Sequence, residues 1–185
     1  LGHAKQMHEL ALEFTKNNHS VTVLTPGTKK QIKYLECSTY EGINLWKFRS
    51  PPTRSKNKFK RTIREVLLPL RAIQALRTTE ISRNMDICIY WSPTIFFGPV
   101  AYWFKRNKAS TYLILRDFFP QWAIDGGMLS KHSLITYFFR LFEYITYRNA
   151  DVIGVQSPAN IEVFNKITPY KHKNIEVLFN WASKR

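Results

Sequence analysis

Cysteine is scarce. Cys37 and Cys88 are the only two in 185 residues, too few for a disulfide framework and at no metal-binding spacing, so a reducing compartment is the default expectation. The five histidines (His3, His8, His19, His132 and His172) are scattered and make no metal-type pair. Neither a G-x-G-x-x-G run nor a P-loop lysine motif occurs, which removes the main support for dehydrogenase and NTPase functions. The nearest thing to a membrane span, Ile87 to Phe104, is 18 residues long and uncharged, but Ser92-Pro93 and Gly98-Pro99 interrupt it. A spanning helix needs about 20 residues, so strand, turn and buried helix are expected there instead. The chain opens Leu1-Gly2-His3 with no charged start and no apolar stretch, so no signal peptide is expected, and the lack of an initiating Met suggests that residues precede Leu1. No internal repeat or low-complexity segment is present.

Acidic side chains are also few, 13 against 28 of Lys and Arg, which sets the formal net charge at +15. That balance points to a polyanion: nucleic acid, an anionic membrane surface or phosphorylated substrates. A hydrophobic share of 44% with 15% aromatics excludes a disordered chain. The length suits one domain of roughly 100–200 residues. Asn18-His19-Ser20 matches a glycosylation sequon, but a loop ahead of a strand explains it better.

Met7, Leu10, Ala11 and Phe14 follow helical spacing, which predicts an amphipathic helix from about His3 to Lys16, closed by Asn17-Asn18. Ser20 to Thr25 reads as a strand ended by Pro26-Gly27, and Ile43 to Phe48 as a second. A basic loop from Ser50 to Asn57 leads to helical spacing at Ile63, Val66, Leu67, Leu70 and Ile73, with Pro69 a kink. Strands follow at Ile87–Trp91, Thr111–Leu115, Val152–Val155 and Ile175–Phe179. Between them come a helix ending near Lys105-Arg106 and a long loop from Arg116 to Gly127. A helix from Ser133 to Asn149 is apolar nearly all round and therefore expected to be buried. Ser157-Pro158 predicts an N-cap and first helical residue for the last helix, which runs to about Lys166. Strands and helices alternate, so the predicted fold is a doubly wound, mostly parallel Rossmann-like α/β sheet with helices on both faces. It starts on a helix, so a first strand is expected to be missing from this chain.

In such folds ligands bind beyond the carboxyl ends of the strands. Gly2-His3 stands directly before a helix, where free N–H groups favour a phosphate; a simple turn is the competing reading. Arg116-Asp117 follows a strand and precedes Phe118, Phe119 and Trp122. Asp117 suits a hydrogen bond from a sugar hydroxyl or the role of a weak base, and Arg116 suits a phosphate; against this, the pair reads as a structural ion pair closing a loop. From Thr53 to Arg77 there are eight cations and one acid, a local charge of +7. Lys60, Arg64 and Arg71 fall in one sector beside the Ile63/Val66/Leu67/Leu70 stripe, as an interfacial helix requires to meet anionic lipid, and Arg61 joins them as a candidate docking cation. A core-facing helix with a solvated basic flank is the alternative. Aromatic–basic runs such as Tyr102 to Arg106 suggest single-stranded nucleic-acid stacking, although at helical spacing such aromatics are more often core.

Gly2 to Ala11, followed by His19-Ser-Val-Thr-Val-Leu-Thr-Pro26, resembles the opening of family 4 glycosyltransferases, in which a glycine-rich loop and first helix lead into a strand of the form G-H-x-V-x-V-x-T. Leu115-Arg-Asp-Phe-Phe-Pro-Gln-Trp-Ala123, Asn149-Ala-Asp-Val-Ile153 with Ser157, and Val177-Leu-Phe-Asn-Trp181 resemble later landmarks. The match is best to bacterial members that assemble polysaccharide repeat units with sugars such as N-acetyl-fucosamine. The resemblance implies the N-terminal, acceptor-binding domain of a GT-B enzyme over residues 1–180, with 181–185 starting an interdomain linker. It places Gly2 and His3 near the donor diphosphate, Asp117 at the catalytic centre and Arg116 on the acceptor side. It further implies retaining transfer with no required metal or cofactor, from a nucleotide-sugar donor to a lipid-diphosphate-linked saccharide, at the cytoplasmic face of an anionic membrane. The family's donor-binding domain carries glutamates in E-x7-E spacing, and no Glu here has another eight residues later. Nucleic-acid binding by a noncatalytic basic module is the remaining alternative.

Overall fold

A computed structural model describes residues 2–52, 58–80, 83–92, 94–168 and 174–181. The chain divides into two units, the first built from residues 1–79 with 180–185 and the second from residues 80–179.

In the first unit, α1 (Gly2–Lys16) leads into β1 (Thr22–Pro26), β2 (Leu35–Tyr40), β3 (Ile43–Phe48) and α2 (Lys58–Leu76). Helix α1 stops where Asn18 takes a left-handed φ of 62°, a conformation that Asn tolerates at helix ends. The sheet order is β1-β3-β2, with β1 parallel and β2 antiparallel to β3. Strand β2 adds a hairpin arm in a stretch to which the sequence pattern assigns no element. Its two-residue turn sets Glu41 at φ 50° and Gly42 at φ 78°, the paired left-handed geometry that matches the twist of a hairpin. Ile43, Trp46 and Phe48 of β3 are buried along with Ala11 of α1 and Leu68, Ala72, Ala75 and Leu76 of α2.

The second unit is a four-stranded parallel sheet, β4 (Ile87–Ser92), β5 (Ser110–Leu115), β6 (Val152–Val155) and β7 (Ile175–Val177), in that order. Its helices are α3 (Gly98–Arg106), entered through a 3-10 turn at Ile95–Phe97, α4 (Gln121–Asp125), α5 (Leu134–Arg148) and α6 (Pro158–Ile167). The expected parallel α/β architecture is present here. Successive β5 residues Leu113, Ile114 and Leu115 are all buried, as in a sheet covered on both faces. Leu113, Leu115, Ile153 and Val155 share a core with Tyr90, Ala101, Tyr147 and Phe164. Cys88 packs against that core, and burial pushes its thiol up to about 12, which makes it an inert small apolar residue. Asp151 is tied to Lys105 at 2.5 Å and to the Thr111 amide and hydroxyl at 2.9 Å, joining α3, β5 and β6 at the amino end of the sheet. Ser157 and Pro158 take the N-cap and first helical positions of α6, but the Ser157 hydroxyl donates to Asn160 Oδ1 at 2.7 Å and makes no side-chain bond to a backbone amide.

Helix α5 corrects one expectation. It is not buried all round: Thr136, Phe139, Glu143, Thr146 and Tyr147 face inward, while Leu134 is 88% and Leu141 55% exposed. Close approach decides the choice. Gly98 at the start of α3 lies against α5, where an added Cβ would stand 2.7 Å from the Thr146 nitrogen and 2.8 Å from its Cα. The Thr146 hydroxyl also donates to the Ile95 carbonyl at 2.5 Å. A backbone contact this tight leaves room only for a small, hydrogen-bonding side chain where α5 crosses α3, with Phe139 and Tyr147 filling the core on either side of it. Gly98→Ala is therefore expected to destabilise the second unit by roughly 1–3 kcal/mol, read as a lowered thermal midpoint with an unchanged far-UV spectrum.

Candidate functional site

The parallel sheet of the second unit brings four segments together beyond its strand ends. Ser92 closes β4, Arg116-Asp117 follow β5, Gln156-Ser157 follow β6 and Leu178 follows β7. The Gln156 side-chain amide donates to the Arg116 carbonyl at 2.5 Å. The Ser92 hydroxyl accepts from the Arg116 amide and donates to the Asp117 carbonyl, both at 3.4 Å. Leu178 N donates to the Val155 carbonyl at 2.7 Å. These bonds fix the backbone of residues 116 and 117 while leaving the Asp117 side chain unconstrained by them.

The two side chains diverge. Arg116 is buried, 7% exposed, and its Nη1 donates to the Leu178 carbonyl at 2.7 Å while its guanidinium carbon lies 5.4 Å from the centre of the Trp91 ring. Desolvation lowers its pKa, and the guanidinium stays charged in the working range of any enzyme. Asp117 is exposed, and among the described residues its carboxylate has no ion-pair or hydrogen-bond partner. The structural ion pair between them does not form. What remains is an open carboxylate at the carboxyl end of a parallel strand, held on a backbone anchored by its neighbours.

The loop after Asp117 is packed, not slack. Phe118 joins the main core, and Phe119 meets Phe139 of α5 edge-on at 4.9 Å and Trp122 at 5.8 Å. Helix α4, too short to announce itself in the sequence, follows at once. Arg140 of α5 donates to Gln121 of α4 and to both oxygens of Glu143, the latter at 3.0 and 2.7 Å. Glu143 is wholly buried, and burial raises its carboxyl above the usual range despite the Arg140 guanidinium. Sequence reasoning missed this pair. The i, i+3 spacing of Arg140 and Glu143 was its only signal, and that spacing is common on solvated helices.

The remaining expected residues lie in the first unit. Gly2 begins α1, and the side chain of His3 lies outside the described residues. Gln6, one turn along, donates to the Trp181 carbonyl at 3.2 Å and so fastens the returning chain to α1. On α2, Ile63 and Leu70 of the expected stripe are exposed, whereas Leu68, Ala72, Ala75 and Leu76 turn inward. Arg64 and Arg71 flank that exposed stripe; Arg64 donates to the Pro52 carbonyl at 2.9 Å. Arg61 lies on a different sector and is paired with Glu65 at 2.7 Å. The Lys60 side chain lies outside the described residues. Among the described residues no group of three or more His, Cys, Asp or Glu could hold a metal ion, and no helix is long and apolar enough to cross a membrane.

A family model described as Glycosyltransferase Family 4 matches residues 2–182. A search of curated proteins returned no match to the chain.

Proposed function

Because the chain belongs to glycosyltransferase family 4, we propose that it is the acceptor-binding half of an enzyme that moves a sugar from a nucleotide-sugar donor to a lipid-diphosphate-linked saccharide in cell-surface polysaccharide synthesis. The observation that carries this reading is the open Asp117 carboxylate at the end of β5, on a backbone pinned by Ser92 and Gln156. A carboxylate so placed accepts a hydrogen bond from the acceptor hydroxyl and orients it. Arg116 supports the acceptor side from beneath, through the segment at Leu178 that it holds. Gly2 and His3, at the start of α1, are assigned to the donor diphosphate, which a helix N-terminus favours. In this reading transfer proceeds with retention and without a protein nucleophile. The donor sugar is of the deoxyhexosamine type, and its nucleotide is held mainly by a second domain.

Exposed Ile63 and Leu70, with Arg64 and Arg71 together along one side of them, support docking of α2 on an anionic membrane at the cytoplasmic face, where lipid-linked acceptors reside. Lys60 and Arg61 would add charge at the start of the same helix. The two-domain reading has a direct test, motivated by the missing E-x7-E spacing. The isolated chain, incubated with nucleotide sugars and a lipid-linked acceptor, is expected to show no transfer above the buffer rate; robust turnover by it alone contradicts the assignment.

A further inference from the structure

Helix α5 presents apolar side chains outward as well as inward. At about 100° per residue, Leu134, Phe138 and Leu141 fall in one narrow sector, with Tyr137 and Ile135 at its margins. All five are exposed, Leu134 at 88%. The opposite sector carries Thr136, Phe139, Glu143, Thr146 and Tyr147 and is the one the fold buries. A contiguous apolar face of this size is rare on a free surface and marks a place where something binds.

Charge says what binds. From Lys131 to Arg148 the only acid is Glu143, which is buried and paired with Arg140. Exposed Lys131 and His132 stand before the helix, and exposed Arg148 ends it, its guanidinium 5.6 Å from the Tyr144 ring centre. Leucine and phenylalanine flanked by tyrosines, with cations at both ends, is the pattern of a helix lying in the interface of an anionic bilayer. A second copy of this chain is disfavoured as the occupant, since each copy carries +15. Fifteen residues make a helix about 22 Å long, suited to lying along a membrane and too short to span it.

We propose that the outward face of α5 is a bilayer-docking surface that inserts Leu134, Phe138 and Leu141 among the headgroups of anionic lipid. The inference deepens the membrane-association part of the proposed function and rests on that part alone; it needs no glycosyl transfer. The test uses the whole chain and vesicles free of polyprenyl lipid, made of phosphatidylcholine alone or in equal parts with phosphatidylglycerol. The wild-type chain is expected to co-sediment with the anionic vesicles. Leu134→Asp/Leu141→Asp is expected to lower its partition coefficient by at least about tenfold, with the far-UV spectrum and thermal midpoint retained. Arg64→Gln/Arg71→Gln on α2 is expected to lower it only a few-fold, and less at high salt. Should the aspartate variant fail to fold, Leu134→Trp decides: its added emission is expected to be quenched by brominated acyl chains. The proposal is overturned if the wild type ignores both vesicle types, if the folded aspartate variant binds like the wild type, or if Leu134→Trp binds without quenching. It is also overturned if the wild type is a dimer that the aspartate variant dissolves while neither binds lipid. Failure of a transfer assay leaves every one of these outcomes unchanged, so the two readings fall separately.

Discussion

Arg140→Ala is expected to destabilise the second unit by about 3–5 kcal/mol, the cost of leaving a buried charge without its partner. Glu143 is 0% exposed and receives two hydrogen bonds from Arg140 Nη1, at 3.0 and 2.7 Å, with the Tyr147 hydroxyl also against its carboxylate. Removing the guanidinium takes away the charge that balances that carboxylate, leaving it the Tyr147 hydroxyl, and also frees the Gln121 side-chain oxygen of α4. The sign with pH follows from the raised Glu143 pKa. A carboxyl whose folded pKa lies above the unfolded value favours folding below the unfolded pKa, and that contribution is lost as pH rises through the folded value. The Arg140→Ala defect is thus expected to be largest near neutrality and to shrink as pH falls and Glu143 takes up a proton. Urea unfolding at several pH values measures it. Glu143→Gln is the companion variant: it removes the charge, keeps the shape, and is expected to change stability far less than Arg140→Ala. A defect equal at all pH values contradicts the account of Glu143 as a stranded ion.

Asp117→Asn is expected to leave stability unchanged and to lower transfer by about 10²-fold in an enzyme that also carries the donor-binding domain. Stability is spared because the carboxylate is exposed and makes no bond to the described residues that anchor its backbone. Activity falls because the amide accepts a weaker hydrogen bond from the acceptor hydroxyl and takes no proton. The defect belongs in kcat more than in KM if Asp117 acts at the reacting hydroxyl. A variant with full activity removes Asp117 from the reaction centre.

Much of this was legible before any coordinates. The apolar run ending at Leu115 marks a buried parallel strand, and the rule that ligands gather at carboxyl ends then singles out Arg116 and Asp117. What separates the two side chains was not legible. Arg116 turns inward to a carbonyl 62 residues away, and no local pattern encodes that partner. Strand β2 escaped because Leu35–Tyr40 is exposed over five of its six residues and so lacks apolar alternation; its turn uses Glu41 where asparagine or aspartate would advertise a hairpin. The strands also fall into two sheets, a partition that depends on pairing and not on the order of elements. Helix α5 misled for the opposite reason. Its sequence is apolar nearly all round, and the contacts that Phe139, Thr146 and Tyr147 make with distant elements show which side the fold took. With apolar residues on both sides, which of them the fold hides is readable from packing alone.

The central claim, that this chain is the acceptor half of a glycosyltransferase, is tested most directly by titrating the isolated chain with a detergent-solubilised lipid-diphosphate-linked saccharide and, separately, with nucleotide sugars. The account predicts saturable binding of the lipid-linked saccharide, weakened at least about tenfold by Asp117→Ala, and no comparable binding of the nucleotide sugars. Tight binding of a nucleotide sugar with no response to the acceptor contradicts it.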